Sequence, residues 1–209
     1  MKRVVLVAGS FVWCSLVVLG LAHQTLRDTR PGDPGTPPER WPEETRLALD
    51  PAGVTLVFLA HPRCPCTPAS LEELRTVLET ARGPVRAHVL VVRPEGAAPG
   101  FGQEGAVWDA ARAIPGVVPM LDDQGREAAR FGARTSGQVS AWDARGRLLW
   151  AGGITAAKGH AGDNAGRRAL LAAIAGEQGQ QGPVFGCPLD APASTPSTST
   201  PSPNSERRS

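Results

Sequence analysis

The run VTLVFLA at 54–60 is followed within a few residues by Thr67-Pro68, and then by Leu71, Leu74 and Leu78. A short, branched, almost continuous apolar stretch reads as a strand buried on both faces. Such a strand needs neighbours on each side in the sheet and helices above and below it. Thr67 is the expected N-cap, and Pro68 the first helical residue, where its missing N–H costs nothing. The leucines keep helical spacing until Gly83-Pro84 ends the pattern.

The rest of the chain repeats this alternation. VRAHVLVV (85–92) is a second strand, and GQEGAVWDAARAI (102–114) a helix stopped by Pro115-Gly116. VVPML (117–121) is a third strand and GREAARFGA (125–133) a short helix. QVSAWDARGRLLWAGG (138–153) reads as two strands joined by a turn at 143–146. NAGRRALLAAIAG (164–176) is a closing helix with Leu170, Leu171 and Ile174 facing inward. The order β-α-β-α-β-α-β-β-α predicts an α/β fold, a central mixed sheet flanked by helices whose last two strands form a hairpin.

Four segments divide the 209 residues. Residues 1–23 carry Lys2 and Arg3 and then an uncharged run from Val4 to Ala22. At ~1.5 Å per residue such a run spans the ~30 Å hydrocarbon core. It predicts a retained transmembrane anchor, with cleavage after Gly20-Leu21-Ala22 as the alternative. Residues 24–45 are proline-rich and predict a semi-rigid linker. Residues 46–189 hold the alternating pattern and form the one candidate domain. Residues 190–209, rich in Ser, Thr and Pro, cannot form a core. A net charge of +2 offers no electrostatic case for nucleic acid.

Four cysteines complete the picture. Cys14 lies within the apolar run and reads as filler. Cys64 and Cys66 flank Pro65 at the junction of the first strand and helix, and Cys187 sits in GPVFGCPL after the last helix. A thiolate at a helix start is stabilised by free backbone N–H groups and the helix dipole, and Arg63 and His61 are close in sequence. Cys187 reads either as a resolving thiol or third sulfur ligand, or as one half of a static disulfide. In GHAGDN (159–164), His160 with Asp163 or Asn164 could serve a metal or acid–base site. The alternative is that Asp163 or Asn164 caps the closing helix and His160 is solvated. His88 reads as structural.

The strand order, with cysteines where the first strand meets the first helix, resembles the thioredoxin-like superfamily. FLAHPRCPCTPASLEEL, FGARTSGQVSAWDARGRLLWAGGIT, GHAGDN and VFGCPL are similar to membrane-anchored, extracytoplasmic members of the TlpA and RedB type, most of all to the RedB-like group. The resemblance implies a single-pass protein of the cell inner membrane with its domain facing the periplasm. It implies protein or small-molecule thiols and disulfides as partners, and no cofactor. It makes Cys64, Cys66 and Cys187 the candidate catalytic residues, and Ser136 and Gly137 the substrate-binding ones. Two departures stand out. The spacing is C-x-C, so the family's first cysteine falls on Arg63 and its second on Cys66. The family's cis-proline falls on Gly137. The expected activity is membrane-tethered thiol–disulfide exchange through the C-x-C motif. The alternatives are a copper or other metal carrier and a non-catalytic binding module. A peroxidase is disfavoured because His61 stands where that chemistry needs threonine.

Overall fold

The computed structural model describes residues 2–190, with side chains from residue 9 onward. The expected Ser/Thr/Pro tail, except Asp190, lies outside the described residues.

The elements run α1 (Lys2–Asp28), β1 (Val54–Ala60), α2 (Thr67–Thr80), β2 (Val85–Arg93), α3 (Ala106–Arg112), β3 (Met120–Asp123), α4 (Arg126–Arg130), β4 (Gln138–Trp142), β5 (Leu148–Gly153) and α5 (Ala165–Ile174). The sheet order is β3-β2-β1-β4-β5. β1 lies at its centre, parallel to β2 along its whole length and antiparallel to β4. β3 extends the parallel side, and β5 closes the hairpin with β4. This is the expected element order. The one late strand is β3, which begins at Met120, not Val117. Pro119 has no N–H to give a ladder, so pairing starts after it.

The position of β1 follows from its sequence. Successive side chains of a strand point to opposite faces. Leu56, Phe58 and Ala60 therefore join Leu71, Leu74, Val107 and Leu170 in one core layer. Val57 and Leu59 join Phe131, Trp142 and Leu189 in the other. With both faces apolar, β1 has no exposed edge or face, and its end at Ala60 is held rigidly from every side.

Helix α1 presents apolar side chains outward, among them Phe11, Trp13, Leu16 and Leu19. Its Gly9–Asp28 stretch has a mean hydropathy of 1.3 and suits a membrane span or a signal sequence.

The segment expected as a linker is laid along the domain. Gly32 N–H donates to the Val184 carbonyl at 2.8 Å, Thr36 N–H to the Gly132 carbonyl at 2.9 Å, and Leu148 N–H to the Glu39 carbonyl at 3.0 Å. The Trp41 ring packs edge-on against Phe131 at 5.0 Å and Trp142 at 5.6 Å. These prolines stiffen a strap on the protein surface.

A chain starting at residue 46 should therefore be less stable than one starting at residue 30, by about 1–3 kcal/mol for the two lost aromatic pairs and the lost hydrogen bonds. Urea unfolding measures this, and equal midpoints and slopes would show that the strap contributes nothing.

Candidate functional site

The end of β1 delivers the chain into a tight turn. Cys64 N–H donates to the His61 carbonyl at 3.1 Å, and Thr67 N–H to the Cys64 carbonyl at 3.2 Å. The turn carries Cys64 inward, where it is 1 % exposed, and leaves Cys66 half-buried at the head of α2. The N-cap residue of α2 is Cys66, and no side chain caps the helix. Thr67, expected as the cap, lies one residue inside it, and its hydroxyl is engaged elsewhere.

That engagement is a directed chain of hydrogen bonds. His61 N–H donates to Ser136 Oγ at 2.7 Å. Ser136 Oγ and Thr67 Oγ1 are 2.7 Å apart, and the Thr67 hydroxyl donates to the Cys64 sulfur. A hydroxyl carries one proton. When the Thr67 hydroxyl donates to sulfur, the Ser136 hydroxyl donates to Thr67.

Cys187 arrives from the opposite end of the chain. After α5 the backbone crosses behind β5, pinned where Trp150 Nε1–H donates to the Gln180 carbonyl at 2.8 Å. It then runs antiparallel to 134–136. Ser136 N–H donates to the Cys187 carbonyl at 2.8 Å, Leu189 N–H to the Arg134 carbonyl at 2.9 Å, and Thr135 bridges Pro188. Val184, Phe185 and Leu189 are buried anchors. Gly186 is required here, since any Cβ would overlap the Ser136 carbonyl oxygen.

The structure thus brings the three predicted cysteines together. Burial alone would raise the Cys64 thiol. Hydrogen bonds from the Thr67 hydroxyl, the Cys187 thiol and the backbone N–H groups of Cys187 and Cys66 outweigh it, and hold Cys64 below its ordinary value. Burial is also the largest influence on the other two. With the negative charge and acceptor sulfur of Cys64 beside them, Cys66 is pushed up to about 11 and Cys187 to about 12. Lys158 opposes both shifts weakly. Of the three sulfurs, Cys64 is the one whose surroundings favour the thiolate.

Ser136 and Gly137 lie at this centre. Gly137 has φ +89°, a left-handed conformation that glycine adopts freely, and its N–H donates to the Leu59 carbonyl at 2.8 Å. No described peptide bond is cis. Arg63, expected beside the thiolate, places its guanidinium over the Phe101 ring at 4.8 Å. Asn164 caps α5, its side chain accepting from Arg167 N–H at 2.8 Å, and His160 is exposed at the surface. The GHAGDN loop is tied to α2 through buried Glu73, which accepts from Gly162 N–H and Asn164 Nδ2 and pairs with Arg167 at 2.6 Å. Among the described residues, no group of three or more His, Cys, Asp or Glu side chains is placed to hold a metal ion. A cleft of about 650 Å³ lined by Asp33, Thr36, Arg134 and Leu189 opens beside the strap and does not include the sulfurs. Sequence reasoning missed the thiolate-binding role of Thr67, because a threonine before Pro68 has the signature of a cap.

A parallel core closed by an antiparallel hairpin and a helix, with cysteines between the first strand and the next helix, decides the architecture. The fold is thioredoxin-like. No family model matches the chain, and no curated protein does. Among solved structures it is similar to a hypothetical protein from Sinorhizobium meliloti 1021, at 21 % identity and a TM-score of 0.54, over 68 % of this chain and 82 % of that one. It is also similar to an uncharacterized conserved protein from Geobacillus kaustophilus, at 15 % identity and a TM-score of 0.53, over 80 % of this chain and 95 % of that one. A looser match, with a TM-score of 0.43 and 15 % identity, covers 60 % of this chain and 85 % of the pneumococcal exposed lipoprotein thioredoxin from Streptococcus pneumoniae. At these identities the likeness concerns the fold alone.

Two outcomes are expected from alkylation with iodoacetamide. The rate at Cys64 should reach half its maximum at a lower pH than at an ordinary thiol, and Thr67→Val should move that point upward, because a donor to the sulfur is lost. Gly186→Ala should displace the strap and speed alkylation of Cys64. An unchanged pH midpoint in the first variant, or an unchanged rate in the second, would contradict the geometry described.

Proposed function

We propose that this chain is a membrane-anchored thiol–disulfide oxidoreductase, similar in kind to the RedB-like group. In this reading α1 holds it in the inner membrane, and the thioredoxin-like domain faces the periplasm, a compartment where disulfides persist. The observation that carries the reading is the meeting of three cysteines, in which Cys64, held below its ordinary value, is in hydrogen-bond contact with Cys66 and Cys187, both pushed above theirs.

The chemistry follows from that arrangement. The Cys64 thiolate attacks one sulfur of a partner disulfide, and the other partner sulfur leaves as a thiolate. A mixed disulfide forms, and the negative charge leaves Cys64. That charge was part of what kept Cys187 protonated, so forming the mixed disulfide makes Cys187 more acidic just when it is needed. Cys187 gives its proton to the departed thiolate and attacks the Cys64 sulfur, and the second partner sulfur leaves. The chain gains a Cys64–Cys187 disulfide, and the partner gains two electrons. The reverse sequence oxidises a partner dithiol. The same charge effect acts on Cys66. However, Pro65 fixes its own φ and restricts Cys64, so a Cys64–Cys66 bond closes a small, strained ring. The strap reaches Cys64 from across the site without that constraint. Because Cys64 is covered, exchange with a partner requires residues 184–189 to lift.

Titration of the full chain against glutathione buffers, with alkylation and peptide mass mapping, tests this. A reversible two-electron step at a potential well above about −300 mV is expected. It should persist in Cys66→Ser and vanish in Cys64→Ser and Cys187→Ser. A step that needs Cys66 but not Cys187 would reassign the resolving thiol. No reversible step at all would remove the reading.

A further inference from the structure

The surroundings of Cys66 and Cys187 say which way the site faces. Helix α1 ends at Asp28, and the Asp28 carbonyl accepts from Lys158 N–H at 3.0 Å. Lys158 follows β5 in the loop that borders the sulfurs, and its charge acts on both Cys66 and Cys187. The Asp28 carboxylate acts on Cys66 as well. The backbone bond between Lys158 and Asp28 therefore joins the end of α1 to a residue whose charge bears on both Cys66 and Cys187.

The length of the tether gives a second, independent constraint. Four residues after Asp28, Gly32 N–H is bonded to the Val184 carbonyl on the strap that carries Cys187. Four residues extend at most about 14 Å. The strap therefore cannot lie far from the end of α1. The uncharged run from Val4 to Ala22 matches the ~30 Å hydrocarbon core at about 1.5 Å per residue. Helix α1 runs on to Asp28, six residues and about 9 Å beyond that boundary, so Asp28 stands just outside the lipid.

We infer that the three-sulfur site opens on the membrane side of the domain, and that its partner is a disulfide or dithiol held at the lipid–water boundary by an integral membrane protein. This rests on the thiol-exchange reading and on α1 as a retained span. A soluble partner would have to enter between the domain and the bilayer. A membrane-embedded one meets Cys66 and Cys187 by lateral diffusion.

The test uses the full chain carrying Cys14→Ser, which removes the thiol within α1. The protein is reduced, freed of reductant and inserted into phosphatidylcholine vesicles. A few per cent of the lipids carry a pyridyldithio group on the headgroup, and release of pyridine-2-thione is followed by absorbance. The same protein is assayed with water-soluble 2,2′-dithiodipyridine. A second variant carries 20 Gly/Ser residues inserted between Asp28 and Thr29. The lipid-borne probe should react readily with the parent chain and about 10-fold more slowly with the insertion variant, since effective concentration falls as roughly the −3/2 power of tether length. The soluble probe should react equally with both, which also reports that the insertion variant is folded. Equal lipid-probe rates in the two chains, or a parent reactive only toward the soluble probe, would overturn the membrane-facing site while leaving thiol exchange standing. A chain inert to both probes would overturn the exchange reading and this inference with it.

Discussion

The bond from Ser136 N–H to the Cys187 carbonyl is the interaction on which the site depends. Ser136 has two polar handles and uses both. Its backbone amide fixes the strap that carries the third sulfur, while its hydroxyl passes a hydrogen bond from His61 to Thr67 and so to Cys64. The residue that brings the thiol is thus also the one that orients the thiolate. Ser136 can do this because it leads into the strand next to β1, whose own position is fixed by apolar packing on both faces. Buried networks of this kind behave as units, and losing one member leaves the others unsatisfied.

The electrostatics of the centre set one sulfur apart from the other two. Desolvation opposes charge on any of them, and at Cys64 hydrogen bonds to the sulfur offset it. Four donors do so at Cys64: a hydroxyl, a thiol and two backbone amides. None of the neighbouring cations expected from the sequence is needed. Arg63 is turned to an aromatic ring, and His61 acts through its backbone and through the ring nitrogen that accepts from Arg63 N–H at 3.3 Å. A charge held by fixed dipoles is less sensitive to salt than one held by mobile side chains, because buried interactions are weakly screened.

Much of the fold was legible from local pattern. β1 was marked by its unbroken apolar run, the hairpin by its turn at 143–146, and α5 by Asn164 at its start. The C-x-C was expected at the head of α2 and lies there, and Gly137 lies where β1 meets the turn into β4, its N–H on the Leu59 carbonyl. Two features were not legible, for one physical reason: each depends on contacts far apart in the chain. Thr67 is drawn from capping by Ser136, 69 residues away. The proline-rich segment lies flat because Trp41 finds Phe131 and Trp142. The sequence offered Cys187 as a partner of Cys64 and Cys66, but not the route by which it arrives, a strap with no periodicity of its own that pairs with 134–136. Composition marks such segments as irregular without saying where they dock.

The late position of Cys187 in the chain has a consequence for how the protein is made. Cys66 leaves the ribosome 121 residues before Cys187, and Cys64 two residues earlier still. At about 5–20 residues per second, that is an interval of roughly 6–24 seconds. Disulfide formation takes seconds or longer, a time comparable with this interval, so Cys64 and Cys66 are made and can meet each other before Cys187 exists. Pro65 then acts as a placeholder. By discouraging a bond between the two cysteines on either side of it, it leaves Cys64 available until residues 184–189 have folded back to meet it.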